Sequence, residues 1–332
     1  MRRLKTSLLR GTAAEQTVLA LCEAGLDAGA LRVKLREPLS ALVGFEGYCV
    51  NTCDPASGAI TSSVGDGLPE KHARRLFELE AKADDFNSLA ALFGSHEAVV
   101  TLSGATRGDV SKSVRMREVL GPLGFRDELR AALKHHGACW GYLHLLRKTR
   151  DFSSADAQRV RRVLPAIGQA LCTAMGLPAA ASHARSPAVV LFDSKGAELV
   201  GEPAPMDDLA SPSTAPHAAQ VVASRARVEG RSSSTGRALD GSWMTFHARK
   251  RRRGVAVVIS PAGAREALAH SFAAAGLTGR QREVAQLIAS GADNEAIARR
   301  LEITLHTAKD HVKAVLAKLG LKRRSQLAGN VV

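Results

Sequence analysis

"LTGRQREVAQLIASGADNEAIARRLEITLHTAKDHVKAVLAKLGLKRRSQLAG", Leu277 to Gly329, parses into four short helices with their punctuation in place. Thr278 with Gln281 three residues on forms a capping box. Val284, Leu287 and Ile288 give that helix its apolar face, and Gly291 stops it. Asp293 caps a second helix that buries Ile297 and Leu301. A tight turn at Glu302-Ile303 leads to Thr304, which caps a third. There Ala308, Val312, Val315, Leu316 and Leu319 fall on one stripe. A fourth helix begins near Arg323 and offers Leu327 and Ala328 for packing.

Two short helices, a tight turn and a longer helix make a helix-turn-helix. The N-terminal residues of such a second helix reach base edges in the major groove. The apolar stripe leaves His306, Lys309, Asp310 and Lys313 on the opposite side, facing the groove. From Ser271 to Val332 ten Lys/Arg stand against five Asp/Glu, and a net +5 suits phosphate contact. Asp310 has the wrong sign for phosphate. It can accept a hydrogen bond from cytosine N4, or pair within the helix with Lys313 or His306.

The run Leu277-Thr278, Arg280, Val284, Gly291, Asn294-Glu295, Ile297-Ala298, Leu301, Ile303, Thr307, Lys309, His311, Lys318-Leu319-Gly320 and Arg324 resembles the LuxR-type (GerE-like) DNA-binding domain, over Leu277 to Val332. The resemblance implies a four-helix module whose third helix reads the major groove. It also implies a fourth helix that serves dimerisation on a two-fold-symmetric site. Two letters depart from the family's habit: Ala308 where valine is usual, and Asp310 where an apolar or neutral residue is usual. The expected DNA-contact set is Thr304, His306, Thr307, Lys309, Asp310, Lys313, Lys318 and Arg324.

Upstream, composition divides the remainder into two segments. The first, residues 1–177, reads as helical patterning through Leu42, then strands at "FEGYCVNT" and "GAITSSV" split by the turn "DPASG". Helical "PEKHARRLFELEAKA" follows, with Pro69 in a first turn. "DELRAALKHHGACWGYLHLLRKT" splits at Gly137 into a helical run and a strand-like one. Trp140 and Tyr142 are expected on one strand face, with Cys139 and Gly141 on the other. The segment closes on a helix capped by Ser153 or Ser154, with Val160, Val163, Leu164, Ile167 and Leu171 inward. That order is similar to a GAF domain.

"GLPAAASHARSPA" reads as a linker. Residues 187–262 then give two strands around an Asp193-Ser194-Lys195-Gly196 turn, a short helix in "AAQVVASRARV", and two late strands flanking Arg249 to Arg253. This segment resembles a shortened PAS domain. The expected architecture is therefore α+β and multidomain: GAF-like and PAS-like units, then an all-α helix-turn-helix domain over residues 271–332. The run Arg249-Lys250-Arg251-Arg252-Arg253 is either a solvated loop or a supplement to DNA affinity.

The formal charge of +14 over 332 residues favours a polyanionic partner, although an Ala- and Arg-rich composition alone gives a similar excess. Five scattered cysteines form no disulfide framework, and Cys49 and Cys53 lack a second pair at zinc spacing. The basic start is interrupted by Glu15 and Glu23 and reads as an amphipathic helix. With no run of 18 apolar residues, the expected setting is the cytoplasm. His135, His136 and His144 read as surface or satisfied core groups, not haem ligands, and no cofactor is expected. Catalytic motifs and a Walker loop are absent from the sequence, as is the acidic pattern of a receiver domain, so the chain does not read as an enzyme. Expected partners are double-stranded DNA, a second copy in a homodimer, a small-molecule ligand in the N-terminal units and RNA polymerase, with no membrane. The competing reading is a protein-interaction adaptor with a basic helical tail that binds polyanions without specificity.

Overall fold

The computed structural model describes residues 12–97, 99–176, 187–194, 198–199, 217–237 and 243–328. Much of the linker expected at 176–188, and Lys195 and Gly196 of the expected hairpin turn, lie outside the described residues.

The first unit opens with three helices, α1 (Ala13–Glu23), α2 (Ala28–Lys34) and α3 (Arg36–Val43). Strands β1 (Gly47–Cys53) and β2 (Ile60–Asp66) follow, then α4 (Glu70–Lys82), α5 (Leu89–Gly94), β3 (Val99–Thr101) and α6 (Leu102–Ala105). A hairpin of β4 (Asp127–His135) and β5 (Ala138–Arg147) leads into the long α7 (Ser154–Gly176). The antiparallel sheet has the order β2-β1-β5-β4-β3. One face is covered by α7, whose Val160, Val163, Leu164, Ile167 and Leu171 meet Leu129, Ala131, Leu133, Leu143 and Leu145 in the largest core. Each such side chain, fully buried, contributes about 1.5–3 kcal/mol. Gly168 lets the helix approach: a Cβ there would stand 2.5 Å from the Lys134 carbonyl oxygen. Ser153 caps α7, accepting from the Asp156 amide at 3.1 Å while its own amide donates to the Asp156 carboxylate at 3.0 Å.

Two expectations fail in this hairpin. Asp127–His135, rich in good helix formers, is a strand, because pairing with β5 and burial on both faces override local propensity. Trp140 and Tyr142 also lie on opposite faces. Leu133 pairs with Gly141 and Lys134 with Cys139, so Trp140 is an extra residue, a β-bulge that resets the alternation. Trp140 joins the α7 core, while Tyr142 packs with Cys53 and Cys139 on the far side.

The second unit comprises β6 (Ala188–Phe192), β7 (Glu198–Leu199), α8 (His217–Glu229), β8 (Arg231–Arg237), β9 (Trp243–Arg251) and β10 (Gly254–Pro261). Its sheet order is β7-β6-β10-β9-β8. Counted within each unit, both sheets run second, first, fifth, fourth, third. Alanines of α8, including Ala219, Ala223 and Ala226, lie against Phe192, Phe246, Val257 and Ile259. β8 carries no hydrophobic alternation and escaped the sequence reading. Of the basic run, Arg249 to Arg251 belong to β9, and Arg252-Arg253 make the turn into β10.

The bridging helix α9 (Ala264–Ala274) precedes α10 (Gly279–Ala289), α11 (Asn294–Arg300), α12 (Leu305–Lys318) and α13 (Ser325–Ala328). Phe272 of α9 is buried in the C-terminal core with Val284, Ile288, Ile297, Val315 and Leu327, whereas the adjacent Ala273 lies in the core of the first unit. His136 Nδ1 stands 2.9 Å from the Ala274 carbonyl oxygen. No described helix is long and apolar enough to cross a membrane.

Candidate nucleic-acid interface

Three helices of the C-terminal unit, α10, α11 and α12, begin at a residue whose side chain satisfies an orphan amide. Thr278 accepts from the Gln281 amide at 3.3 Å, and the Thr278 amide donates to Gln281 Oε1 at 3.1 Å. Asp293 accepts from Ala296 at 2.7 Å, and Thr304 from Thr307 at 3.1 Å. Caps of this kind contribute about 0.5–2 kcal/mol each. Glu302 takes a left-handed φ of 53°, and its neighbour Ile303 donates to the Ala298 carbonyl at 3.0 Å. The two helices therefore meet at a fixed tight turn.

α12 is amphipathic. Ala308, Val312 and Val315 are buried, and Leu316 and Leu319 are partly so. His306, Lys309, Asp310 and Lys313 are all exposed on the other side. His306 Nε2 and Asp310 Oδ2 are 3.6 Å apart across one turn, both side chains open to water. At that exposure the pair contributes little to stability, but it turns the imidazole along the helix. Leu305, the first residue of α12, is 39% exposed, an apolar side chain at the tip that the sequence reading passed over. By spacing it falls on the same stripe as Ala308 and Val312, three and seven residues on, and its place at the first position of the helix leaves it exposed.

The eight expected contact residues separate into groups. Thr304 and Thr307 are joined through their hydroxyls at 2.8 Å and organise the helix start. Lys318 holds the end of α12 to the beginning of α10, its ammonium donating to the Gly276 carbonyl and to Gln281 Oε1, both at 2.8 Å. Arg324 donates to Asn294 Oδ1 at 3.3 Å and to the Ala292 carbonyl, fastening α13 to the start of α11. Expectation had placed both cations on DNA, and the structure gives them work inside the domain. Lys309 and Lys313 have no described protein partner. Arg299, Arg300, Lys322 and Arg323 add exposed positive charge on neighbouring segments.

Among the described residues, no group of three or more His, Cys, Asp or Glu is gathered as a metal would require.

Comparison with known proteins agrees with this geometry. Residues 275–330 match the family described as "Bacterial regulatory proteins, luxR family" (GerE). This part of the chain is a LuxR-type helix-turn-helix domain. It is 52% identical over 52 residues to the nitrate/nitrite response regulator protein NarL of Escherichia coli, which is 16% of this chain and 24% of that protein. A monoamine regulon transcriptional regulator from Klebsiella aerogenes is 39% identical over 51 residues, 15% of this chain and 22% of that one. The chain thus spans about a quarter of the length of these curated relatives. They are regulators of transcription and not enzymes. Among solved structures, Escherichia coli SdiA aligns over 100% of this chain and 97% of that one, at 12% identity and a TM-score of 0.35. An N-acylhomoserine lactone dependent LuxR family factor, CepR2 of Burkholderia cenocepacia, aligns over 48% of this chain and 93% of that one, at 18% identity and 0.34.

Proposed function

We propose that this chain is a sequence-specific DNA-binding transcription regulator that inserts α12 into the major groove. The observation that carries the reading is the division of one capped helix. Ala308, Val312 and Val315 are locked into the domain core, leaving His306, Lys309, Asp310 and Lys313 as a free polar face. In this reading Lys309 and Lys313 meet phosphate or guanine edges, and Leu305 can reach a thymine methyl group. Asp310 orients His306 or accepts from cytosine. Thr304 and Thr307 fix the helix start, and Lys318 and Arg324 act by positioning.

Residues 1–177 form a GAF-like unit and residues 187–262 a PAS-like unit in this account, ahead of the DNA-binding domain at 271–332. The shared sheet order of the two units supports the pairing of these assignments. They sense a small molecule or hold two copies together, so that the dimer meets a two-fold-symmetric site, with RNA polymerase as the downstream partner and the cytoplasm as the setting. Footprinting tests the proposal. A discrete protected site with two-fold sequence symmetry is expected, whereas salt-sensitive protection blind to sequence favours the adaptor reading.

A further inference from the structure

A cavity of about 330 Å³ lies between the sheet of the first unit and α4. Its roof is apolar, with Leu68, Leu76 and Phe77 above and Leu120 and Leu146 at the side. His217, the first residue of α8, reaches it from the second unit, its ring 5.8 Å from that of Phe77. The floor is a directional chain of polar groups. Cys49 donates to Asn51 Oδ1 at 2.9 Å, Asn51 Nδ2 donates to His144 Nε2 at 3.3 Å, and His144 Nδ1 donates to Glu128 Oε1 at 3.3 Å. Burial pushes the Cys49 thiol up to about 12 and lowers the His144 pKa, so this chain runs through a neutral thiol and a neutral imidazole.

Below the floor the charges do not balance. Arg115 joins Glu128 at 2.6 Å and Asp85 at 3.0 Å, and Arg130 joins Glu128 at 2.8 Å and Glu80 at 2.6 Å. Three carboxylates, of which Glu128 is buried, thus share two guanidiniums; burial opposes the Glu128 charge, and the two guanidiniums overcome it and hold Glu128 ionised. Each carboxylate has a guanidinium partner, but three negative charges against two positive ones leave the cluster with one formal negative charge in excess, which an added cation would neutralise. Glu80 and Glu128 both border the cavity.

We propose that this cavity binds a small organic amine, its ammonium seated against Glu80 and Glu128 and its apolar body beneath Leu76 and Phe77. The inference rests on reading the N-terminal units as sensors and supplies the ligand class for that reading. A carboxylate or phosphate is disfavoured here, since the lining guanidinium, Arg130, already bridges two carboxylates. Because His217 belongs to the second unit, occupancy also acts on the contact between the two units.

The test uses the full chain and three probes of one shape and different charge: phenethylamine, 2-phenylethanol and phenylacetate. Thermal unfolding and titration calorimetry should show phenethylamine bound about tenfold more tightly than the alcohol, which corresponds to one added charge-assisted contact, and phenylacetate not bound. Leu76→Trp, which fills the cavity, should abolish amine binding. Glu80→Gln should remove the preference of amine over alcohol while the alcohol still binds. Equal or tighter binding of the alcohol or the carboxylate overturns the amine assignment and leaves a sensor of another ligand. Binding indifferent to Leu76→Trp overturns the cavity. If the folded chain binds none of the three, both the amine site and ligand sensing by this cavity are wrong, whatever the footprint shows.

Discussion

Asp54 and His270 tie the first unit to the helix that leads into the DNA-binding domain. Asp54 Oδ1, at the end of β1, lies 3.7 Å from His270 Nε2 in α9. The other carboxylate oxygen accepts from the Thr235 amide of β8 at 3.1 Å. The His270 ring lies against Trp243, with centroids 4.2 Å apart. One buried carboxylate therefore touches all three parts of the chain between the first sheet and the helix-turn-helix.

This contact predicts a pH dependence. Burial lowers the His270 pKa and Asp54 opposes it only in part. A histidine depressed in the folded state lets the unfolded chain bind the proton first. Stability from the neutral ring is then complete above the unfolded value near ~6.5 and falls as pH drops below it. Urea unfolding at about pH 7.5 and about pH 5.5 should show the loss, and His270→Gln should reduce the difference between the two. A variant with the wild-type pH slope would remove His270 as a contributor.

Glu128→Ala should destabilise the first unit by about 3–5 kcal/mol, because it removes the buried carboxylate to which Arg115, Arg130 and His144 all donate and leaves those donors without that acceptor. Chemical denaturation followed by near-ultraviolet circular dichroism of Trp140 and Tyr142 reads this directly. A loss under about 1 kcal/mol would mean that water reaches the cluster.

Lys309 and Lys318 have the same chemistry and opposite expected roles. Lys309→Ala should weaken DNA binding and lower the salt slope by about one, as loss of a phosphate contact does. Lys318→Ala breaks the link from α12 to Gly276 and Gln281, so it should lower the domain's melting temperature and leave the salt slope unchanged. Fluorescence anisotropy across a salt series separates the two. A reduced slope for Lys318→Ala would return that residue to the DNA surface.

Asp310→Ala distinguishes readout from orientation. If Asp310 accepts from cytosine, the preferred base changes at one position of the site. If it only orients His306, at 3.6 Å, all sites bind slightly more tightly as repulsion from phosphate is relieved. Competition among operator variants differing by single base pairs reads either result.

Replacing Arg249, Lys250, Arg251, Arg252 and Arg253 by Ser should weaken binding equally for all sequences and flatten its salt dependence. The Lys250 ammonium already donates to the Arg227 carbonyl at 3.0 Å, so the exposed arginines account for most of the change. An unchanged slope would show a solvated strand end and nothing more.

The C-terminal domain was legible in the sequence because every local signal agrees there. Thr278, Asp293 and Thr304 all cap as their spacing indicates, and the apolar stripe of α12 is the buried one. What escaped depended on long-range pairing. Asp127–His135 has a helical composition, and only its ladder with β5 makes it a strand. The bulge at Trp140 is a mismatch in length between two strands, which neither strand reveals alone. Lys318 and Arg324 look like DNA contacts from their charge, and their acceptors are backbone carbonyls about thirty to forty residues away. The cavity also hid from view, since Glu80, Glu128 and His144 come from three separated elements and are brought together by the sheet.

Selection of bound duplexes from a randomised pool, at about 0.15 M salt where non-specific attraction is screened, tests the central claim most directly. Wild-type chain should enrich one motif with two-fold-related halves, and a Lys309→Ala, Lys313→Ala double variant should lose that enrichment while remaining folded. Enrichment of no motif by the wild type, or the same motif from the double variant, would contradict the placement of α12 in the major groove.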